Sequence, residues 1–246
     1  MPFTFAHPAI ILPLKKSKRF CSTALIAGSI VPDFEFFFQL REVENIGHRW
    51  HGIFLFDLPL ALFFCFIFHN LLRNALVINL PESIRNRVTV VLDFDWNVYA
   101  LKNKWTVAYS LLIGIASHIL WDGITHYDGM FVKLFTILAL KVSFGSYSIP
   151  AYFLLQLLFS VMGLLVVGYT LIGLPQMKTT VSEKKNKWYW PSLAFTASLL
   201  LGIRLAGWPQ YNTFWGVFMA GMGSICYSWV LTSLIFKNYL IKKLSL

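Results

Sequence analysis

Charge is what this sequence has least of. Asp, Glu, Lys and Arg together make up 13% of its 246 residues, about half the share of an ordinary soluble domain. With 57% hydrophobic residues, it carries more apolar side chain than a soluble core of this size needs, which argues against a soluble globular fold. Acidic residues are the scarcer sign, 11 against 21 basic, for a net charge of +10. No basic-aromatic recognition module accompanies that surplus, so nucleic-acid binding is set aside. Cysteine is nearly missing. Cys21, Cys65 and Cys226 stand far apart with no C-x-x-C, which excludes a disulfide framework and a thiolate zinc site and leaves three small hydrophobes. There is no P-loop, no dinucleotide fingerprint and no serine nucleophile elbow. The opening MPFTFAHPAIILPL does not read as a signal peptide, because positive charge follows its apolar stretch.

Long apolar runs are what the sequence does have, at roughly 20–40, 53–72, 106–125, 150–174, 191–207 and 214–236. Most reach the ~20 residues that cross a bilayer as a helix, and they are continuous where a β-barrel would alternate. The expected fold is therefore all-α, a polytopic helical membrane protein with about six transmembrane helices and a broken first span. Residues 1–145 read as a half that bears polar residues and 146–246 as an apolar helical half, together one integrated domain. The polar stretch TTVSEKKNK reads as the linker between spans 4 and 5. Sixteen Lys and Arg residues fall in the N-terminal segment, the loops after spans 2 and 4, and the tail, against four on the other side. That bias puts the sixteen in the cytoplasm. The expected location is a bacterial inner membrane, with the lipid bilayer as the main partner.

Polar residues within the runs are few, and intramembrane ionisable groups are expensive enough to be functional candidates. In GSIVPDFEFFF, Pro32 removes a backbone donor and breaks the span, so Asp33 would start its second half, beside Glu35. In HRWHG, His48 and His51 would share a helical face if the segment is helical. In SHILWDGITHYDG, His118, Asp122 and His126 follow one another at i, i+4 and i+8, each step rising about 6 Å. His118 and Asp122 would share one ion, and His126 would sit a turn higher, at the mouth. The charge bias puts these three clusters together on the exoplasmic side, although it was counted without them. His7 joins them if residues 5–19 descend from that side, about 22 Å as a helix, although Pro8 and Pro13 make a regular helix doubtful. Imidazole and carboxylate without thiolate suit a divalent ion, zinc first, manganese or iron next, in one to three copies. Asp57 is placed as a supporting partner of the ligands, and Glu35 with Asp33 as the carboxylates closest to catalysis. Arg49 and Arg204 are the cations assigned to substrate, although Arg204 could equally snorkel. His69 reads as an interfacial histidine, and DFD at 93–95 as a loop that imitates a metal motif.

These segments, in this order, resemble an uncharacterised bacterial membrane family whose domain has no assigned function. MPFTFAHPA, GSIVPDFEFFF, HRWHG and SHILWDGITHYDG carry the resemblance, which covers most of the chain. More distantly, roughly the first 130 residues are similar to inner-membrane metal-dependent hydrolases, whose histidine and aspartate set is like that of zinc phospholipases C. The resemblance implies metal ligation by His7, Asp33, His48, His51, His118 and Asp122; His126 belongs to the nearer family's pattern. The chain departs from the hydrolase pattern at Glu35, where that pattern has Asp, and at HRWHG, where it has a histidine followed by Thr-His-Ser. The expected function is metal-dependent hydrolysis at the exoplasmic face, of a phosphoester on a lipid or lipid-linked substrate. The alternatives are a metal-ion or proton transporter, which would need a polar path through both leaflets, and a scaffold that keeps a structural metal.

Overall fold

The structure, a computed structural model, describes residues 3–42, 46–177 and 185–244. Lys178, Lys184 and most of the 179–187 linker lie outside the described residues. The described residues are mostly helical, with one two-stranded hairpin among them. Among the described residues, five helices are long and apolar enough to cross a membrane: Trp50–Asn79, Lys104–Thr125, Ala151–Ile172, Tyr189–Gly207 and a last one whose crossing stretch is Phe214–Phe236. The 20–40 run is broken as Pro32 requires. It forms a helix over Ser22–Ile30, a 3-10 turn over Val31–Asp33 and a helix over Phe34–Gln39, and neither helix is long enough to cross by itself. The Trp50–Asn79 helix contains π turns at Ile53–Asp57 and Phe68–Leu72. The first directly precedes Leu58-Pro59, where the proline lacks a donor and crowds the preceding turn, so the wider turn accommodates it.

The chain divides into two units that interleave along the sequence. One comprises 1–32, 47–62 and 103–171; the other comprises 33–46, 63–102 and 172–246. In the first unit, the Ser22–Ile30 helix packs along Lys104–Thr125, and the close approach depends on two glycines. A Cβ on Gly28 would stand 2.3 Å from the Leu111 carbonyl oxygen, and one on Gly114 2.4 Å from that of Leu25. Ser110 Oγ accepts the buried Cys21 N–H at 3.0 Å. The N-terminal segment is a succession of short turns, Thr4–Ala6, Pro8–Ile11 and Leu12–Lys16, the irregular path that two prolines impose. It leans on the Ala151–Ile172 helix through Phe3 N–H to Ser160 Oγ, 2.9 Å, and through Ala6 against Gly163.

In the second unit, Tyr189–Gly207 and the Phe214–Leu244 helix are joined through a 3-10 turn, Pro209–Tyr211. Arg204 fastens that turn. Its guanidinium donates to the carbonyls of Leu40 (2.8 Å) and Tyr211 (2.9 Å) and to Asn212 Oδ1. Leu40 ends the Phe34–Gln39 helix in the left-handed conformation at φ 53°, strained for leucine, and the Arg204 bond holds its carbonyl.

Candidate metal centre

Asp122 is the centre of the arrangement in the first unit. It lies in the last turn of Lys104–Thr125 and is buried. Its two oxygens face different partners. Oδ2 lies 3.1 Å from His48 Nε2 and 3.3 Å from His118 Nε2. Oδ1 lies 3.5 Å from His7 Nε2 and 3.8 Å from His126 Nδ1, and among the described residues it accepts no hydrogen bond. The His7 and His118 rings stack at 3.9 Å with a 17° tilt, and the edge of Trp121 closes on His7 at 5.4 Å.

The tautomer of His118 follows from its other side. Nδ1 lies 2.8 Å from the carbonyl oxygen of Ser29. A carbonyl only accepts, so Nδ1 carries the proton. In the neutral ring Nε2 is then a lone pair, directed at a carboxylate oxygen 3.3 Å away. Two acceptors at that separation repel unless a cation or proton lies with them. A ligating histidine usually donates its second N–H to a backbone carbonyl in just this way. The residues present therefore fit a divalent ion. The glycine contact of Ser22–Ile30 with Lys104–Thr125 sets the distance from Ser29 to His118, because Gly28 directly precedes Ser29.

Asp33 belongs to the second unit. It closes the 3-10 turn whose first two residues, Val31 and Pro32, belong to the first unit. It occupies the N-cap of Phe34–Gln39 but makes no capping bond there, so its buried carboxylate is not spent on the helix start. One ligand atom from each of His48, His118 and Asp122 lies within 4.8 Å of the others. This cluster could bind a metal ion.

The other expected residues stand as follows. His7 is fully buried beside Asp122. His126 is near, but the helix ends at Thr125, and His126 has extended backbone at ψ 147°. The three-residue helical ladder therefore covers only 118 and 122, and His126 Nδ1 turns back to the Asp122 carbonyl at 3.1 Å. Burial lowers the His126 pKa, ahead of the opposing attraction of Asp122. The helix begins at Trp50, inside HRWHG, so His48 precedes it and shares no helical face with His51. His51 is half-buried with its ring against Trp50, and Arg49 is exposed. Asp57 is fully buried at the end of the π turn. Glu35 is buried in the second unit, where its oxygens accept the Ile46 N–H at 2.7 Å and Gln39 Nε2 at 3.3 Å. Arg204, also in the second unit, is engaged by the carbonyls described above.

Two features were not picked out from the sequence. Ser29 acts through its carbonyl, which leaves no trace in residue type. His69 and DFD, read separately, meet in the second unit at a cavity of about 240 Å³. There His69 stacks on Trp96 at 5.0 Å, and Arg73 donates to His69 Nδ1 at 3.2 Å.

The class defined so far is an all-helical chain, with helices of membrane-crossing length and a buried histidine-aspartate cluster of metal-ligand type. Its family can be stated. The chain belongs to the family described as Domain of unknown function (DUF4184), whose sequence profile matches residues 1–234. Neither the curated proteins nor the solved structures gave a match.

Proposed function

We propose that the protein is a membrane-embedded, metal-dependent hydrolase that acts at the exoplasmic face on a phosphoester of a lipid or lipid-linked substrate. The observation that carries this reading is the His118 geometry: Nδ1 lies 2.8 Å from the Ser29 carbonyl oxygen, and Nε2 is turned to a buried carboxylate oxygen 3.3 Å away. His48, His118 and Asp122 would hold the ion, with His7 beside the second oxygen of Asp122. Zinc is the first choice for such a nitrogen and oxygen set, with manganese or iron as alternatives. A divalent ion in such a site polarises a phosphoryl oxygen and makes water a better nucleophile. The protein's part is to bury the carboxylate, to fix the His118 tautomer through Ser29 and to limit water around the His7–His118 stack.

The lipid assignment rests on composition and charge. Five helices have the length and hydropathy of spans, and the cationic loops bias the orientation so that Asp122 lies at the outer end of its helix. A divalent ion held at that depth would be within reach of a phosphate headgroup from the leaflet. The test is hydrolysis of a fluorogenic phosphodiester lipid by zinc-loaded protein, with Asp122→Asn as the control. Turnover that Asp122→Asn abolishes supports the proposal. Equal turnover in both, or none in either under zinc, manganese and iron, refutes it. Ion flux in liposomes without hydrolysis would favour a transporter instead.

A further inference from the structure

Between Lys104–Thr125 and Ala151–Ile172 the chain does not take the shortest way back. It forms a short helix at Met130–Leu134, a 3-10 turn at Thr136–Ala139, and strands Lys141–Phe144 and Tyr147–Pro150. Among the described side chains from 127 to 148, Val132 alone is buried. Tyr127 and Tyr147 are 75% exposed, and Met130, Leu134, Phe135 and Ile137 between 51% and 68%. That is more contiguous apolar surface than a loop in water normally shows.

The hairpin sorts its residues by face. Val142 pairs with Ile149 and Ser143 with Ser148. Side chains alternate along each strand, so Val142, Tyr147 and Ile149 share one face, and Lys141, Ser143 and Ser148 the other. The turn is Gly145-Ser146, with Gly145 at φ 61°, the glycine-first pattern of a tight hairpin loop. A lone two-stranded hairpin is marginally stable in water, and on the apolar face of this one Val142 and Tyr147 are 40% and 75% exposed.

The segment is tied to the metal centre. Gly129 N–H donates to the His126 carbonyl at 3.0 Å. A Cβ on Gly129 would meet the Gly123 carbonyl at 2.4 Å, and the Phe131 ring lies against Gly123. The chain thus folds back onto the turn that carries Asp122.

We infer that residues 127–149 form a pad lying in the headgroup layer of the leaflet, beside the Asp122 site, and that the pad delivers a membrane-resident amphiphile to it. Three observations select the membrane over a protein partner. Both ends of the pad continue into helices of crossing length, whose flanking side chains Leu120, Leu157 and Leu158 are themselves about half exposed. Tyrosine with lysine on an amphipathic segment is the composition of the bilayer interface. Lys133 and Lys141 outnumber Asp128, the one acid in the segment, which suits phosphate headgroups. The pad deepens the hydrolase reading, and its role in delivery rests on that reading; its depth does not.

The test uses the full chain in nanodiscs of phosphatidylcholine and phosphatidylglycerol. A bimane label is attached at Ile137→Cys, and separately at Tyr147→Cys, in a Cys226→Ser background. Nitroxide on the lipid headgroup is expected to quench both labels several-fold more than iodide in the water. Iodide as the stronger quencher would overturn the pad. So would a label that neither quencher reaches in a chain that migrates as a dimer, since protein would then cover the face. Leu134→Glu with Ile137→Glu should lower hydrolysis of a bilayer phospholipid several-fold and leave a short-chain soluble phosphodiester unaffected. Equal loss on both substrates, or on neither, counts against delivery. A headgroup-depth label on a chain that hydrolyses nothing keeps the pad and removes the hydrolase. Hydrolysis by a chain whose label only iodide reaches does the reverse.

Discussion

Gly28→Ala tests how the fold sets up the metal centre. The added methyl would lie 2.3 Å from the Leu111 carbonyl oxygen, where ordinary contact begins at 3.4 Å. The obstacle is helix backbone, which has no rotamer to yield. The Ser22–Ile30 helix must therefore move away by about 1 Å, and overpacking of this kind costs about 1–3 kcal/mol. Ser29 moves with it. Its carbonyl starts 2.8 Å from His118 Nδ1, so the displacement takes the bond out of range and removes about another 1 kcal/mol. Released from Ser29, the His118 ring is no longer fixed in the tautomer that turns Nε2 to Asp122. Loss of such an outer partner typically weakens metal affinity about 10–100-fold. The assay is competition with a chromophoric chelator on detergent-purified protein, with the thermal midpoint read in parallel. Gly168→Ala is the control, because a methyl there meets nothing within 4 Å. Metal affinity and midpoint in Gly28→Ala that match those of Gly168→Ala would refute the reasoning.

Other outcomes follow from the same geometry. His48→Ala should lower metal affinity at least tenfold, because His48 faces Asp122 Oδ2, whereas His51→Ala should leave metal content unchanged; inductively coupled plasma mass spectrometry of both decides, and the reverse order would contradict the site. Arg204→Ala strips the donors from three acceptors around the Pro209–Tyr211 turn, and unmade buried bonds cost about 1–3 kcal/mol each at most. The thermal midpoint should fall with metal content intact, and an unchanged midpoint with impaired substrate binding would show that Arg204 serves the substrate instead. Removing bound ion with a chelator should lower stability by about 2.7 kcal/mol relative to protein held at a hundred times the dissociation constant, and readdition of zinc should restore it; a midpoint indifferent to the ion counts against a folded-state site.

The sequence was readable where the cause is local. Pro32 announced the break in the 20–40 run, and the i, i+4 spacing of His118 and Asp122 announced their shared face. His126 misled, because the same spacing continues beyond a helix that ends at Thr125. His48 and His51 misled in the same way, since the helix begins between them. Only the chain's return from a distance reveals the rest. Nothing local links Ser29 to His118, or marks Gly28 and Gly114 as a contact and not as helix-weakening glycines. Arg204 read equally as a cation for an anion and as a snorkelling side chain, and its partners are backbone carbonyls and an amide oxygen, which residue type does not display. The hairpin at 141–150 was hidden inside a short stretch between apolar runs, where Gly145-Ser146 was its one local turn signal beside Asp128-Gly129 further upstream.

The most direct measurement is metal content with X-ray absorption on the full-length protein, purified after growth with zinc, manganese and iron supplied. The account predicts at least one equivalent of a divalent ion per chain, with nitrogen and oxygen neighbours and no sulfur, and its loss in Asp122→Asn. A correctly folded wild-type chain that holds no ion above the buffer level, or one whose ion is retained unchanged in Asp122→Asn, would contradict it.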